Sequence, residues 1–356
     1  MTKPHQTYLD TRPIPPEYLT SSAELRYTLI DTLQTLLQQT NHILITPPEI
    51  TPDPETFLNS LKTNPNIYQA SLSRQFAADL PPDIQQTTLK DEPKDWYIKT
   101  ADFGDECDRP LQHRDGEYTQ LLEDIQEYHQ ILQQDCNRII ILRPSNYGAY
   151  DTLLNPAMQC LGYSLRQFQY IVIQPLKLYA FHRDTHKIQP IPDLPPSELQ
   201  KVVNPQTLRW YSLRVPLDEI APLNVSTSSP DHPQNHFYRV QLAYAYAQKY
   251  LTFLEAHHLN ISKASVAASE NPEEQTLVNT LQSTQAIVNR AIDEVAPHLI
   301  CQHAEQISEQ CLQWLPPQQW LPSSYNTLQQ VRDVLSDLVE VKLGLALTPQ
   351  MVNAQS

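Results

Sequence analysis

Glycine is scarce in this sequence, and the few glycines lie too far apart to form a phosphate-binding loop. They are Gly104, Gly116, Gly148, Gly162 and Gly344, and no two lie within five residues of each other. Walker-type and dinucleotide-binding loops need clustered glycines, because their backbone closely approaches the phosphates. The spacing therefore excludes both of these classes of nucleotide site.

Basic residues are also in short supply. Lysine and arginine together number 25 against 40 aspartates and glutamates, which gives a formal net charge of −15. Affinity for a nucleic-acid backbone depends on cations that displace its counterions. The composition therefore argues against a general nucleic-acid binder, and any RNA binding should be local and directed by shape. We expect no DNA partner.

Paired cysteines and long apolar runs are missing as well. The five cysteines form no C-x-x-C pair, which predicts reduced thiols. The N-terminal residues lack the apolar core of a signal peptide, and no run of about 18 apolar residues occurs anywhere in the sequence. We therefore expect a cytoplasmic chain that does not associate with a membrane.

The length and composition predict a globular protein of two or three domains. Of the 356 residues, 40% are apolar and 31 are proline. We expect residues 1–20, which are rich in proline, to form a loose arm, and a capping box at Ser21 predicts a helix to about Gln39. A second helix around 66–80 completes a helical, proline-rich region, 1–95, which is the least informative part of the sequence.

From residue 96 the pattern changes to alternating strands and helices. Arg138–Leu142 and Tyr170–Ile173 are short β-branched runs, typical of strands buried on both faces. Tyr150–Cys160 between them suits a helix, so the order predicts a βαβ crossover in a parallel sheet. Ligands bind such sheets beyond the carboxyl ends of the strands. Here that position is the loop Arg143–Gly148, which a polar turn explains equally well.

A hairpin is predicted after the second of these strands. Leu178–Phe181 and Lys187–Pro190 flank its turn. His182 and His186 lie four residues apart in this turn. We expect no metal there, because the pair would need a helix to bring both rings to one face.

After a linker at 221–235, the chain is predicted to be helical from about His236 to its end. Apolar residues recur at helical spacing, and Asn271-Pro272-Glu273-Glu274 combines a capping residue, a proline at the first helical position and two acids. These signals predict a bundle of at least four helices in 236–356. The fold class expected is therefore α/β plus all-α.

A segment at the start of the α/β region resembles the bacterial-type arginyl-tRNA synthetases. Residues 95–109 read DWYIKTADFGDECDR, where that family has W…TDFGDDKDR. Further landmarks follow in the family's order: Arg114-Asp115-Gly116 for its SDG, Asp124-Ile125 for its DIAYH, Leu161-Gly162-Tyr163 for its LGY, Gln174–Leu178 for its Q…L, Asn204–Trp210 for its VGxDAxRF, Asn235–Ala245 for its NPVYYVQYAHA, and Leu343–Met351 for its terminal GLxLLGVxAPExM. The resemblance covers residues 96–356.

This resemblance implies a truncated Rossmann-like class I synthetase body at 96–220, followed by a DALR anticodon-binding domain at 236–356. It implies tRNA as the partner, with an arginine isoacceptor as one candidate. The tRNA-binding residues that it implies are Tyr238, Gln241, Tyr244 and Met351. Bases of RNA loops are read by stacking and by hydrogen bonds to their edges, but tyrosines at helical spacing are equally typical of a helix core. Tyr246 replaces the arginine that closes the family's AHAR, so a phosphate contact is lost.

The catalytic signatures of the family are missing. Class I synthetases bind ATP with a HIGH-type histidine pair and a KMSK lysine loop, whereas no H-x-G-H occurs here. Arg183–Pro190 stands in place of KMSK and contributes a lone Lys187, and only about 95 residues precede the recognisable half. We therefore expect no catalytic residue, no metal and no cofactor, with ATP bound only if arginine–tRNA ligase activity is retained. His298, Cys301 and Glu305 share a helical face, but a buried cysteine beside surface polar residues is favoured over a zinc site.

The amino-acid pocket of the family is altered as well. By resemblance, Gln120 and Glu127 replace two tyrosines, and Asp124 alone keeps a carboxylate for a guanidinium. A remnant amino-acid or nucleotide pocket would consist of Asp124, Gln120, Asn146, Tyr147 and Gln174. Asp124 lies beside Glu123 and Glu127 on a predicted helix, however, so a solvated acidic face is the favoured interpretation.

Three functions remain open on the sequence alone. The first is a non-catalytic protein that binds tRNA through 236–356. The second is a protein-interaction module derived from the same fold, which the acidic charge of this region favours. Its cations are Arg239, Lys249, Lys263, Arg290, Arg332 and Lys342, against eleven acids. The third is an arginine–tRNA ligase that works with a partner protein supplying the missing half.

Overall fold

A computed structural model of the chain describes residues 5–10, 26, 30–38, 42–44, 53–79, 93–145, 151–194, 196–229, 231–257, 271–314 and 324–347. The chain divides into two compact units. The first unit consists of 1–13 and 41–171, and the second of 14–40 and 172–356. Within the described ranges, no helix is long and apolar enough to cross a membrane.

Strands dominate the first half of the chain and helices the second. In chain order the elements are β1 His5–Asp10, α1 Ile30–Gln38, β2 His42–Leu44, α2 Pro54–Leu61, β3 Ile67–Ala70, α3 Arg74–Ala78, β4 Asp95–Ile98, β5 Arg109–Gln112, α4 Gln120–Leu132, β6 Arg138–Pro144, α5 Asp151–Cys160, β7 Phe168–Ile173, β8 Leu176–His182, β9 Lys187–Pro190, α6 Pro196–Val202, α7 Pro205–Leu213, β10 Ala221–Asn224, α8 His236–Ala256, α9 Pro272–Gln282, α10 Thr284–Asp293, α11 Pro297–Trp314 and α12 Tyr325–Ser336.

The first unit is built on a four-stranded sheet with the order β2-β1-β6-β7. β1 pairs in parallel with both β2 and β6. The four residues Ile139–Leu142 of β6 have no exposed surface, as expected for a strand covered on both faces. The predicted order of strand, helix and strand is confirmed, since α5 lies between the neighbouring strands β6 and β7.

β1 corrects the expectation of a loose N-terminal arm. Residues 5–10 form an inner strand of the parallel sheet, with Tyr8 opposite Ile139 and Asp10 opposite Ile141. The prolines that suggested an arm flank this strand at Pro4 and Pro13 without interrupting it, so every residue within it keeps its backbone N–H for pairing. The rest of 1–20 lies outside the described residues.

A second sheet of the first unit corrects the helix predicted around 66–80. Its order is β3-β4-β5, and Ile67–Ala70 pairs antiparallel with β4. The helix within that range is limited to Arg74–Ala78, where the Ser73 side chain caps the first turn. Cross-strand pairing with β4 explains the difference, because a single-sequence pattern does not show a partner that lies almost thirty residues away.

The second unit contains the predicted hairpin. β8 and β9 pair antiparallel, with Phe181 opposite Ile188, which confirms the prediction. β10 pairs in parallel with the other edge of β8, which gives a three-stranded sheet of order β10-β8-β9. Residues Ala221–Asn224 therefore form a strand, which corrects the prediction of a linker at these residues.

The predicted helical bundle is confirmed in the remainder of the second unit. α8 packs against α11 and α12, and α9 and α10 pack against α11. Asn235 caps α8 by accepting hydrogen bonds from the backbone N–H groups of Phe237 and Tyr238, and Asn271 caps α9 in the same way. α12 continues into a π-helix, Asp337–Lys342, that ends before Gly344.

Arg26 anchors its segment to the rest of the second unit. It has no exposed surface, although its side chain carries a charge. Its guanidinium donates hydrogen bonds of 2.6–3.3 Å to six backbone carbonyls. These carbonyls belong to Gln174, Ser212, Val215, Pro216, Leu217 and Glu219. Burial lowers the pKa of Arg26 to about 10, which leaves it charged at neutral pH.

Candidate functional site

The landmark segment TADFGDECDR forms the connection between β4 and β5, and its charged side chains pair within the first unit. Arg109 forms a two-point pair with Asp105, with both bonds at 2.7 Å. Asp108 accepts two bonds from Arg74, at 2.6 and 3.1 Å, and one from the Tyr68 hydroxyl at 2.8 Å. Burial opposes ionisation of Asp108, but the bonds from Arg74 and Tyr68 lower its pKa. The segment therefore has a structural role in this chain.

A buried ion pair lies at the carboxyl ends of β1 and β6. The Arg143 Nη2 lies 2.8 Å from the Asp10 Oδ2, and the Tyr128 hydroxyl donates to the same oxygen at 2.7 Å. In the sheet order β2-β1-β6-β7, the strand that follows β1 lies on one side of the central pair, and the strand that follows β6 lies on the other side. The connections from β1 and β6 therefore run in opposite directions. Ligands bind doubly wound sheets at such a switch point. The sequence pattern predicts Arg143 at the carboxyl end of a parallel strand, as observed. No sequence pattern predicts Asp10 at this position.

Asp124 lies on the buried face of α4. Only 4% of its surface is exposed, and its Oδ1 accepts a hydrogen bond of 3.2 Å from the Gln120 Nε2. The expectation of a solvated acidic face is therefore wrong for Asp124. The reason is its helical spacing: Asp124 precedes the buried Tyr128 by four residues and Ile131 by seven, so all three share one face.

Of the other residues considered for the pocket, Glu127 contacts β1, whereas Gln174 lies in the second unit. Glu127 accepts a 2.7 Å hydrogen bond from the Tyr8 hydroxyl, which adds a β1 residue that the sequence did not suggest. Gln174 belongs to the second unit, where its carbonyl accepts from Arg26 and its N–H donates to Leu217. Asn146 and Tyr147 lie outside the described residues.

The predicted tRNA-binding residues occupy the first half of α8. Tyr238 and Tyr244 are half-buried, whereas Gln241 and Tyr250 are buried. Burial raises the pKa of Tyr244, and the nearby Glu340 adds to that shift. Tyr238 and Tyr244 are therefore partly exposed, as both the RNA-contact and the core interpretation allow. Met351 lies outside the described residues.

The cations of the bundle are mostly engaged by carboxylates. Four ion pairs join them to neighbouring acids: Arg239–Glu309 at 3.6 Å, Arg290–Glu294 at 2.9 Å, Arg332–Asp333 at 2.6 Å and Lys342–Asp337 at 3.6 Å. Both partners are exposed in the pairs Arg239–Glu309 and Arg290–Glu294, and exposed ion pairs stabilise a fold little. A phosphate could therefore displace the carboxylates of these two pairs at low cost.

Metal-ligating side chains do not cluster in the part of the chain that the structure describes. No three of its histidine, cysteine, aspartate and glutamate side chains come together as a metal site. Cys301 is fully buried, and Glu305 on the same helix is held by Arg214.

Comparison with known proteins shows what the bundle and the whole chain are similar to. Residues 240–347 match the family described as the DALR anticodon binding domain. The arginine–tRNA ligase of Dechloromonas aromatica is 22% identical over 219 residues, which are 61% of this chain and 37% of that protein. The arginine–tRNA ligase of Oceanobacillus iheyensis is 24% identical over 261 residues, which are 71% of this chain and 46% of that protein. The chain thus spans less than half the length of these relatives.

Solved structures extend the likeness of fold to the whole chain. A Campylobacter jejuni protein assigned as an arginyl-tRNA synthetase has a TM-score of 0.72 at 14% identity, over 98% of this chain and 94% of that chain. The Thermus thermophilus arginyl-tRNA synthetase has a TM-score of 0.56 at 11% identity, over 93% of this chain and 58% of that chain. Residues 240–347 thus match the DALR anticodon binding domain, and the chain is similar in sequence and in fold to arginyl-tRNA synthetases.

Proposed function

We propose that this chain is a non-catalytic arginyl-tRNA synthetase-like protein that binds the anticodon region of tRNA through its DALR domain. The match of 240–347 to an anticodon binding domain carries the proposal. The matched relatives are arginine–tRNA ligases, so an arginine isoacceptor is the ligand that we propose. The half-exposed rings of Tyr238 and Tyr244 on α8 support stacking on unpaired bases. The reduced thiols support a cytoplasmic location.

Loss of catalysis is supported by the sequence and by the edge of the parallel sheet. Neither an H-x-G-H nor a KMSK sequence occurs in the chain. The carboxyl ends of β1 and β6 are joined by the pair of Asp10 and Arg143, with Tyr128 bound to the same carboxylate. Removing one partner of a buried pair costs about 3–5 kcal/mol. The charged side chains at this edge therefore stabilise the fold. We propose no catalytic residue, metal or cofactor.

The charge of the bundle favours one alternative, a protein-interaction module. Acids outnumber the cations of this region, and four of those cations already have carboxylate partners. Such a surface suits a basic protein partner. The third candidate is retained arginine–tRNA ligase activity with a partner protein, in which case ATP would be a substrate. The missing signatures count against it.

Binding of tRNA by the purified full chain tests the proposal. Fluorescence anisotropy would follow labelled total tRNA and an arginine-isoacceptor transcript at about 50 mM and about 200 mM salt. A DNA hairpin of equal length is the control. We expect tRNA to bind and the DNA hairpin to bind much more weakly. Absence of tRNA binding even at the lower salt concentration contradicts the proposal and favours the interaction module.

Catalysis is tested separately by arginine-dependent pyrophosphate exchange. We expect no exchange above that of a reaction without enzyme, with an active arginine–tRNA ligase as the positive control. Robust exchange by the purified chain would show that the signatures have been replaced by other residues. The non-catalytic part of the proposal would then be wrong, whatever the result for tRNA binding.

A further inference from the structure

The three-stranded sheet of the second unit has one buried and one exposed face. Leu176 and Leu178 of β8 are buried, together with Ala221 and Leu223 of β10. Side chains alternate between the faces along a strand, and residues directly opposite each other share a face. The other face of this sheet therefore carries the alternate residues of each strand.

Aromatic and apolar side chains cover this outer face. Tyr179 lies opposite Pro190 and Phe181 opposite Ile188, while Lys177 lies opposite Pro222. Phe181 is 47% exposed and Ile188 is 58% exposed. An exposed phenylalanine directly beside an exposed isoleucine forms a contiguous apolar surface, and contiguous apolar surfaces rimmed by polar residues are typical of binding sites. We call the face formed by Lys177, Tyr179, Phe181 and Ile188 the β8–β9 platform.

The charge of this hairpin is opposite to that of the chain. Lys177, Arg183 and Lys187 are exposed, against the single acid Asp184 between Leu176 and Pro190. The chain as a whole has 40 acids and 25 cations, so this cluster stands out. The Lys177 Nζ lies 5.9 Å from the centre of the Tyr179 ring, and the Phe181 ring contacts the His186 ring at 6.2 Å. A cation and aromatic rings thus lie side by side on this hairpin.

The spacing of the rings suits unpaired bases. Residues two apart on a strand are about 6.6 Å apart, because each residue adds about 3.3 Å. Tyr179 and Phe181 therefore offer two separate rings along one line. Single-stranded nucleic acids bind where aromatic rings stack with successive bases and cations follow the phosphates. Double-stranded RNA does not expose base faces in this way.

We propose that the β8–β9 platform binds an unpaired RNA segment, with bases stacked on Tyr179 and Phe181 and phosphates held by Lys177 and Arg183. Lys187 lies opposite His182 and therefore on the other face of the sheet. The inference rests on the proposed function in taking RNA as the ligand, but it uses residues apart from those of α8. With two phosphates neutralised, the logarithm of the binding constant should fall against the logarithm of salt with a slope of about −1.4.

The test uses the full chain and a labelled, unstructured RNA 12-mer. Phe181→Leu keeps the apolar surface but removes the ring. Phe76→Leu, at a phenylalanine of the first unit that is 60% exposed, is the matched control. We expect Phe181→Leu to weaken binding at least about 5-fold, the lower limit for loss of one stacked base. Phe76→Leu should have no effect. Lys177→Gln should reduce the salt slope by about 0.7. Lys187→Gln, on the other face of the sheet, should leave the slope unchanged.

Three outcomes overturn the proposal: no binding of the 12-mer, equal binding by Phe181→Leu and wild type, or a dimer in sedimentation that Phe181→Leu dissociates. The last would make β9, an edge strand, a contact between two copies of this chain. Crosslinking with ultraviolet light supports the proposal if the modified peptide contains Tyr179 or Phe181. The 12-mer reports on the platform, whereas loss of tRNA binding in Tyr238 and Tyr244 variants reports on α8. Either claim can therefore fail alone.

Discussion

Arg214 and Glu305 form a two-point ion pair inside the second unit. The Arg214 Nε lies 2.8 Å from the Glu305 Oε1, and its Nη2 lies 3.0 Å from the Oε2. The Trp210 Nε1 also donates to Oε1 at 3.0 Å, and the His236 Nδ1 lies 3.2 Å from Oε2. One carboxylate on α11 thus joins the end of α7 to the beginning of α8.

This pair predicts how the second unit responds to acid. Burial opposes ionisation of Glu305, but hydrogen bonds from His236 and Arg214 outweigh it and lower the pKa of Glu305 from 4.5 to about 2. A carboxylate with a depressed pKa in the folded state stabilises the fold above its unfolded pKa, and this stabilisation is lost as the pH falls. For Glu305 the loss occurs between about pH 4.5 and about pH 2.

Glu305→Gln should therefore lower the free energy of unfolding by about 2–3 kcal/mol at pH 7. The difference from wild type should shrink as the pH falls from 5 to 3, because the wild-type carboxylate then loses its charge on unfolding. Urea unfolding followed by tryptophan fluorescence at several pH values measures this. Glu309→Gln, at an exposed position of the same helix, is the control. A difference that stays constant with pH would contradict the electrostatic explanation.

Substitution of Arg26 should destabilise the second unit even when the charge is kept. Arg26→Lys leaves three donors on a compact ammonium in place of the planar guanidinium that serves six carbonyls. We expect a loss of about 3–5 kcal/mol in the free energy of unfolding, since buried carbonyls lose their partners. Arg290→Lys, at an exposed ion pair, should leave it nearly unchanged. Equal effects of the two substitutions would contradict the role given to Arg26.

Arg26 also shows why part of this fold could not be predicted from the sequence. Its partners are backbone carbonyls at residue 174 and at 212–219. Every residue has a backbone carbonyl, so the amino-acid sequence does not show which carbonyls will bind Arg26. β1 was missed for a related reason, because its pairing partner β6 begins more than a hundred residues later. Long-range pairing of this kind is a property of topology and not of local pattern.

The elements that were predicted correctly are each indicated by a short, continuous stretch of sequence. β6 is a continuous β-branched run, the β8–β9 hairpin has its turn between two apolar segments, and α9 begins with a cap and a proline. The burial of Asp124 shows the limit of that approach. Its neighbours Glu123 and Glu127 indicated solvent, whereas the positions four and seven residues further on decide which face is buried.

The cysteines should differ sharply in reactivity. All five lie within the described residues as thiols, and Cys107 is half-buried whereas Cys136, Cys160, Cys301 and Cys311 are buried. Burial raises the pKa of Cys160 and of Cys311 to about 12. Only the thiolate reacts with a disulfide reagent. At pH 8 we therefore expect one fast equivalent in the native protein and five after denaturation, with Cys107→Ser abolishing the fast phase. Two or more fast equivalents would contradict the burial.

The two half-exposed tyrosines of α8 allow the RNA-contact and core interpretations to be separated. If the rings of Tyr238 and Tyr244 stack on bases, Tyr→Leu at either position should weaken tRNA binding by about 1–3 kcal/mol, and Tyr→Phe by much less. Neither change should alter the salt dependence, because no charge is removed.

Tyr118 provides the matched control in the first unit. It is also half-buried, and it lies outside the match to the anticodon binding domain. Tyr118→Leu should therefore leave tRNA affinity unchanged, with thermal unfolding confirming that all variants are folded. If the leucine variants of Tyr238 and Tyr244 bind tRNA as wild type does but lower the unfolding temperature, these two tyrosines are core residues. The DALR domain would then have to contact the anticodon through other side chains.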